Sequence, residues 1–173
     1  MHILIIALST FVVMFLSATS SFSQSTAGLF TGATKARLKT HIIVPTDQSD
    51  ASEFCKVSRD DIERVARSVL DKSRITLTDK GYDITIIVGV ELYYQNLEEP
   101  VNICAARVSV RSGISTKIHL PHAKNISTQR WVDLFDRADT VVDARSGFVI
   151  EVSDRVTGMM KSFVDTWTDD QRP

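Results

Sequence analysis

The sequence predicts an α+β domain, a two-layer sandwich in which a mainly antiparallel sheet carries two helices on one face, in the order β-α-β-β-β-α. Three observations lead there. Two segments, 62–70 and 149–167, repeat apolar residues at helical spacing and so carry one apolar stripe each. Between them, residues 82–94 alternate strictly and are followed by a returning segment that alternates as well. Two striped helices and a sheet with one strongly apolar face bury those surfaces against one another as two layers.

The apolar run 3–16, broken only by Ser9 and Thr10, is shorter than the roughly 20 apolar residues a spanning helix needs. Small residues follow, and Ser21 and Ser23 suit the positions before a signal-peptidase cut. Residues 1–23 are therefore expected to be a signal peptide, despite a weak positive start of only the amino terminus and His2. An uncleaved membrane anchor is the competing reading. Residues 24–35 are rich in Ser, Thr, Gly and Ala and are read as a flexible leader, with a single domain over 36–170. No stable membrane insertion is expected once the first segment is removed.

The first strand is expected at 38–44 (LKTHIIV), near a sheet edge because Pro45 follows it. Residues 46–57 read as a polar loop carrying Cys55. Ser58 and Asp61 have capping-box spacing and open the first helix, in which Ile62, Val65, Ala66, Val69 and Leu70 form the stripe. After a Lys80-Gly81 turn, Ile84, Ile86, Val88, Val90 and Leu92 share one face of the central strand. Cys104, Ala106, Val108 and Val110 share a face of its partner, 101–111. Residues 112–129 read as a loop, and a weaker strand follows at 130–140. The last helix opens at Ser146-Gly147 and carries Val149, Val152, Val156, Met159, Met160, Phe163, Val164 and Trp167. Gly158 within it predicts a close approach to a neighbouring element.

Cys55 stands just before a helix and Cys104 on the core side of a strand, so a disulfide would fasten the helix entrance to the sheet. In an exported chain that pairing is the favoured state, with two buried thiols as the alternative. The 20 basic and 21 acidic residues leave a formal net charge of −1. That balance creates no field for nucleic acid, which is not expected as a partner.

No catalytic, cofactor-binding or metal motif is recognisable. His119 and His122 flank Leu120-Pro121, and the proline prevents the helical turn that would align two ligands; zinc wants three or four. No serine lies in a Gly-x-Ser-x-Gly elbow. The pairs Asp60-Asp61, Glu98-Glu99 and Asp169-Asp170 sit where solvated acids belong, and Asn125-Ile126-Ser127 matches a glycosylation sequon. The sheet face turned away from the helices is more distinctive. Ile87, Tyr93, Ile103, Trp131 and Phe135 stand there among Arg107 and Arg111, a composition that suits protein binding as well as an ordinary solvent face.

The helix DIERVARSVLDK, the strand YDITIIVGVELYY, the strand led by Trp131 and the closing helix RVTGMMKSFVDTW, with its Phe-x-x-x-Trp ending, resemble small exported bacterial proteins of unassigned function. The topology also looks like that of the Tol-system periplasmic protein's N-terminal domain and of lipoproteins assisting envelope assembly, although the lipid-bearing cysteine of the latter is missing. The resemblance implies a periplasmic or secreted compartment and a fold, and no site residues. From the residues themselves, the leading expectation is a non-catalytic accessory protein that binds another envelope or extracellular protein, with Tyr93, Arg107, Arg111, Trp131 and Phe135 as the candidate surface. Alternatives are a small secreted hydrolase or ligand-binding protein with its site near His119 and His122, or a secreted effector.

Overall fold

A computed structural model describes residues 28–48, 51–96, 102–119 and 127–172. Strand β1 (Lys35–Ile43) leads through a short 3-10 turn to helices α1 (Ala51–Cys55) and α2 (Arg59–Leu70). A two-residue strand β2 (Thr76–Leu77) precedes the long strands β3 (Ile84–Asn96), β4 (Asn102–His119) and β5 (Ser127–Ala144), and helix α3 (Arg145–Asp170) closes the chain. The sheet order is β2-β1-β3-β4-β5. β1 pairs parallel with β3, from Ala36↔Ile84 to Ile43↔Glu91, and the α1–α2 segment supplies the crossover a parallel pair requires. β3, β4 and β5 form the expected antiparallel meander.

The two-layer α+β prediction holds, with three corrections of detail. Residues 46–57 are not one loop: α1 is helical and buries Ala51 and Cys55. It ends at Lys56, whose φ of 56° and N–H bond to the Ser52 carbonyl (3.0 Å) make a left-handed stop. Residues 112–119 and 127–129 are strand rather than loop, so β4 and β5 form a hairpin with 18-residue arms. Residues 28–34 are not a loose leader. Phe30 is fully buried, 5.6 Å from the Phe163 ring and 5.2 Å from Trp167. The Asp170 carboxylate accepts from the Gly28 and Phe30 N–H groups (3.0 and 3.2 Å), so the chain's two ends are joined.

All helical packing falls on one side of the sheet. Ile84, Ile86, Val88, Val90 and Leu92 of β3 and Cys104, Ala106, Val108 and Val110 of β4 are buried, as alternation requires. They meet Ile62, Ala66 and Leu70 of α2 and the stripe of α3, in which Phe148 is a buried member the periodic reading omitted. Ser58 caps α2, its hydroxyl accepting from the Asp61 N–H at 3.1 Å and donating to the Asp61 carboxylate at 2.6 Å. That hydrogen bond, with Arg64 beside it, holds the Asp61 carboxyl below its ordinary pKa. Gly158 departs from expectation: a Cβ there would meet nothing, so it allows no close approach.

Cys55 and Cys104 are joined, with Cα atoms 5.8 Å apart and a sequence separation of 49. On the chain-entropy model such a closure contributes about 4 kcal/mol, so the Cys55→Ser, Cys104→Ser double variant should lose roughly that much in urea denaturation. A loss well under half of this would show that the cross-link restrains the unfolded chain little.

Asp83 makes a second fastening, accepting from the Thr34 and Lys35 N–H groups at 2.8 Å each and so fixing the start of β1 beside the entry to β3. Those two bonds hold its carboxyl below the ordinary value. A depressed folded pKa stabilises above the unfolded carboxylate range, and the contribution is lost as pH falls through the folded value. Asp83→Ala should therefore lower the thermal midpoint at about pH 7 and make progressively less difference toward about pH 2. An equal effect at both ends would assign the loss to packing instead.

Candidate functional site

The face of the sheet turned away from the helices is formed by alternate residues of four strands. β1 contributes Arg37, Lys39, His41 and Ile43, and β3 contributes Thr85, Ile87, Gly89, Glu91 and Tyr93. β4 adds Ile103, Ala105, Arg107, Ser109, Arg111 and Gly113, and β5 adds Trp131, Asp133, Asp136, Ala138, Thr140 and Val142. No helix among the described residues covers it. Ile43 and Val142 are 54% and 63% exposed, and Tyr93 and Trp131 are each 38% exposed. A charged central region with aromatic and aliphatic groups around it results.

Phe135 does not belong to this face. The β4–β5 register shifts between Ser112 and Gly113, so that Ser112 opposes Phe135 while Gly113 opposes Asp133 and Leu134 is the extra residue. Such a bulge resets the alternation of the strand that carries it. Trp131 and Asp133 before it, and Asp136 and Ala138 after it, lie on the open face. Phe135 turns inward to 9% exposure and packs edge-on against Phe163 at 5.4 Å. Four residues separate Trp131 from Phe135, and uninterrupted alternation placed them together; the bulge leaves no local signal in the sequence apart from the adjacent pair Leu134-Phe135.

Around the bulge the side chains form a connected set. The Trp131 indole Nε1 donates to Asp133 Oδ1 (2.6 Å), and Arg111 Nη2 donates to Asp133 Oδ2 (2.9 Å). Arg111 Nε also stands 3.5 Å from Asp136. The indole thus reaches the arginine through one carboxylate, and its ring lies over Gly113. An added Cβ at Gly113 would strike the Val132 carbonyl oxygen and sit 2.7 Å from two indole carbons. Glycine is needed here because the Trp131 ring occupies the space of a side chain.

Arg107 is placed differently. Its cross-strand neighbour is Glu91, yet the Glu91 carboxylate accepts the Tyr93 hydroxyl, and that bond raises the Tyr93 pKa. Among the described residues Arg107 has no carboxylate partner. Between Arg107 and Arg111 lies a concavity of ≈ 340 Å³ floored by Gly89 and Ser109 and bordered by Ile43, Glu91 and Asp136. Gly89 and Glu91 fall here by the alternation of residues 82–94, opposite Ser109 and Arg107. The presence of Ile43 was not read from sequence, because it depends on the parallel register of β1 against β3.

Among the described residues the remaining candidates do not converge. His119 ends β4, and His122, Glu98, Glu99 and Asn125 lie outside the described residues. His41 is exposed on β1, and no group of three or more potential metal ligands forms among the described residues. Asp60 and Asp61 serve the start of α2, and Asp170 binds the backbone at residues 28–30. No described helix is long and apolar enough to cross a membrane.

No protein-family model matches the chain, and no curated protein matches it. Among solved structures it is similar to a minor lipoprotein from Acinetobacter baumannii (12% identity, TM-score 0.40, 77% of this chain and 94% of that one). A hypothetical protein from Chlamydia trachomatis is similar at 9% identity and a TM-score of 0.40, over 75% of this chain and 99% of that one. A DUF330 protein from Xanthomonas campestris is similar at 12% identity and a TM-score of 0.43, over 80% and 87%. At these values the likeness assigns the chain to no family.

The two glycines of the open face should differ on substitution. Gly113→Ala forces a Cβ against backbone and indole and should cost roughly 1–3 kcal/mol in denaturant unfolding. Gly89→Ala meets only the Ser109 hydroxyl, which can rotate, and should cost less. The reverse order would mean that the Trp131 ring is not held over Gly113 in solution.

Proposed function

We propose that the chain is an exported binding module of the bacterial envelope, and that another exported protein docks on its open sheet face. The observation that carries this reading is the uncovered face itself, where Tyr93 rises near Arg107, which has no carboxylate partner among the described residues, and Trp131 stands farther along the sheet, linked to Arg111 through Asp133. Tyr, Trp and Arg are the residue types that concentrate binding energy at protein interfaces. Trp131 is also held in place before any partner arrives, through Asp133 and Arg111, which reduces the ordering cost of association. The unpaired Arg107 favours a partner that presents a carboxylate to the concavity between the two arginines.

Three features support export: the leader-like first segment, the Cys55–Cys104 disulfide, and the absence of any unpaired cysteine among the described residues. A structural disulfide belongs to an oxidising compartment such as the periplasm or the exterior. The resemblance to small exported proteins of unassigned function agrees with that placement.

Affinity capture from cross-linked cells, with mass spectrometry of bait and prey, should return one reproducible exported partner and a bait that starts near Gln24. In the purified complex, Trp131→Ala should weaken binding by about 30-fold, as expected for an aromatic anchor worth about 2 kcal/mol. Arg107→Glu should weaken it comparably, and neither variant should lower the thermal midpoint much. Phe135→Ala should instead destabilise the fold. Full binding by both the Trp131 and Arg107 variants would place the interface elsewhere.

A further inference from the structure

A second site lies far from the open face, where the C-terminal ends of α2 and α3 meet. A cleft of ≈ 480 Å³ opens there, within the roughly 300–1,000 Å³ typical of small-molecule sites. Val164 and Trp167 form its apolar floor, and Lys72, Arg74 and Arg172 stand at its rim. Among the described residues the lining contains no carboxylate. Lys72 and Arg74 make no ion pair among the described residues, and Arg172 makes only an exposed one with Asp169 (3.3 Å), which water screens.

Both walls are fixed by hydrogen bonds that the cleft itself does not use. Ser73, between Lys72 and Arg74, donates to the Leu70 carbonyl (2.6 Å) and accepts from the Ile75 N–H (3.1 Å). On the other wall Gln171 donates to the Phe30 and Ala33 carbonyls, with Asp170 anchored beside it. Trp167 is 3% exposed and packs at tilted angles against Phe30 and Phe163, and its indole N–H makes no hydrogen bond among the described residues. A larger groove of ≈ 750 Å³ between β5 and α3 has the opposite character: Asp136, Asp139, Glu151 and Asp154 line it, and Arg155 is taken up by Asp139 and Glu151.

We infer that the basic cleft binds a free anionic amphiphile, a molecule with one phosphate or carboxylate head and a short apolar chain. Three cations around an apolar floor satisfy both parts of such a ligand, whereas a bare anion would leave the floor wet and a neutral chain would leave the cations unanswered. The head sits among Lys72, Arg74 and Arg172, and the chain lies over Val164 and Trp167.

Decyl phosphate below its micellar concentration is the probe. In a Trp131→Phe background the remaining indole, Trp167, reports occupancy through its fluorescence. Saturable change is expected with decyl phosphate, little with inorganic phosphate alone, and little with a neutral decyl glycoside. The Lys72→Glu, Arg74→Glu double variant should raise Kd by at least about tenfold. Both side chains are at the surface, so its thermal midpoint should stay in place, and the same double variant with Trp131 retained should capture the partner on the sheet face as before. No saturation, equal binding of the neutral glycoside, or indifference to the charge reversal would overturn the assignment. So would a response confined to phosphatidylcholine vesicles containing phosphatidic acid, which would make the ligand a membrane surface.

Discussion

The open face of this molecule is decided by side-chain parity across a sheet whose described helices all lie on one side. A strand sends alternate residues to opposite faces, so fixing one buried residue per strand fixes the whole of the other face. Val88 and Val108 under the helices imply Gly89 and Ser109 in the open. The one place where parity is reset is the bulge at Leu134, and its consequence is large: Phe135 joins the core while Trp131 stays outside. Without the extra residue, either the indole would be buried or the phenyl ring would be exposed. Gly113 is part of the same device, since only a residue without a side chain leaves room for the ring above it.

Three separated fastenings supplement the packing of helices on sheet. The Cys55–Cys104 bond fastens the α1–α2 corner to β4, and Asp83 fastens the start of β1 to the entry of β3. The third is the aromatic group of Phe30, Phe135, Phe163 and Trp167, which draws the segment before β1, the bulged strand and the end of α3 together. Elsewhere the helices meet the sheet through hydrophobic burial. Thr40 and Ser112 show how apolar that interior is: their hydroxyls are buried without a hydrogen-bond partner. Each such hydroxyl is a cost the surrounding burial must offset.

Those physical causes also explain what was legible in the sequence. Alternation in 84–92 and helical spacing in 62–70 act over a few residues, so both elements and the facing of Cys104 could be read directly. Gly113 and Pro121 argued for a loop over 112–129, yet Gly113 serves the bulge inside a continuous strand. Phe30 gave no periodic signal, being a single ring in a polar stretch, and its burial depends on α3, about 130 residues away. The open face was half legible for the same reason. Tyr93, Arg107 and Arg111 follow from parity on unbroken strands, whereas Phe135 was misplaced by a bulge and Ile43 and Glu91 were brought together by strand register. The basic cleft was not legible at all, because it joins two helix ends distant in sequence.

The two surfaces share one physical connection, the ring contacts from Trp167 at the cleft through Phe163 to Phe135 beside the bulge. Contact of this kind is necessary for communication between sites but does not produce it; an element with two stable arrangements is also needed. These rings are buried in a single packed cluster, and close-packed interiors resist small displacements. The connection therefore makes a common rigid frame of the two surfaces. An occupant of the cleft would alter binding on the sheet face only by lifting Phe163 from Phe135, which would expose aromatic area now buried, and a ligand resting on Val164 and Trp167 gains nothing by that movement. On the proposed reading, independent occupation follows from the packing: a protein on the sheet face and a small molecule in the cleft would rest on the same fixed scaffold.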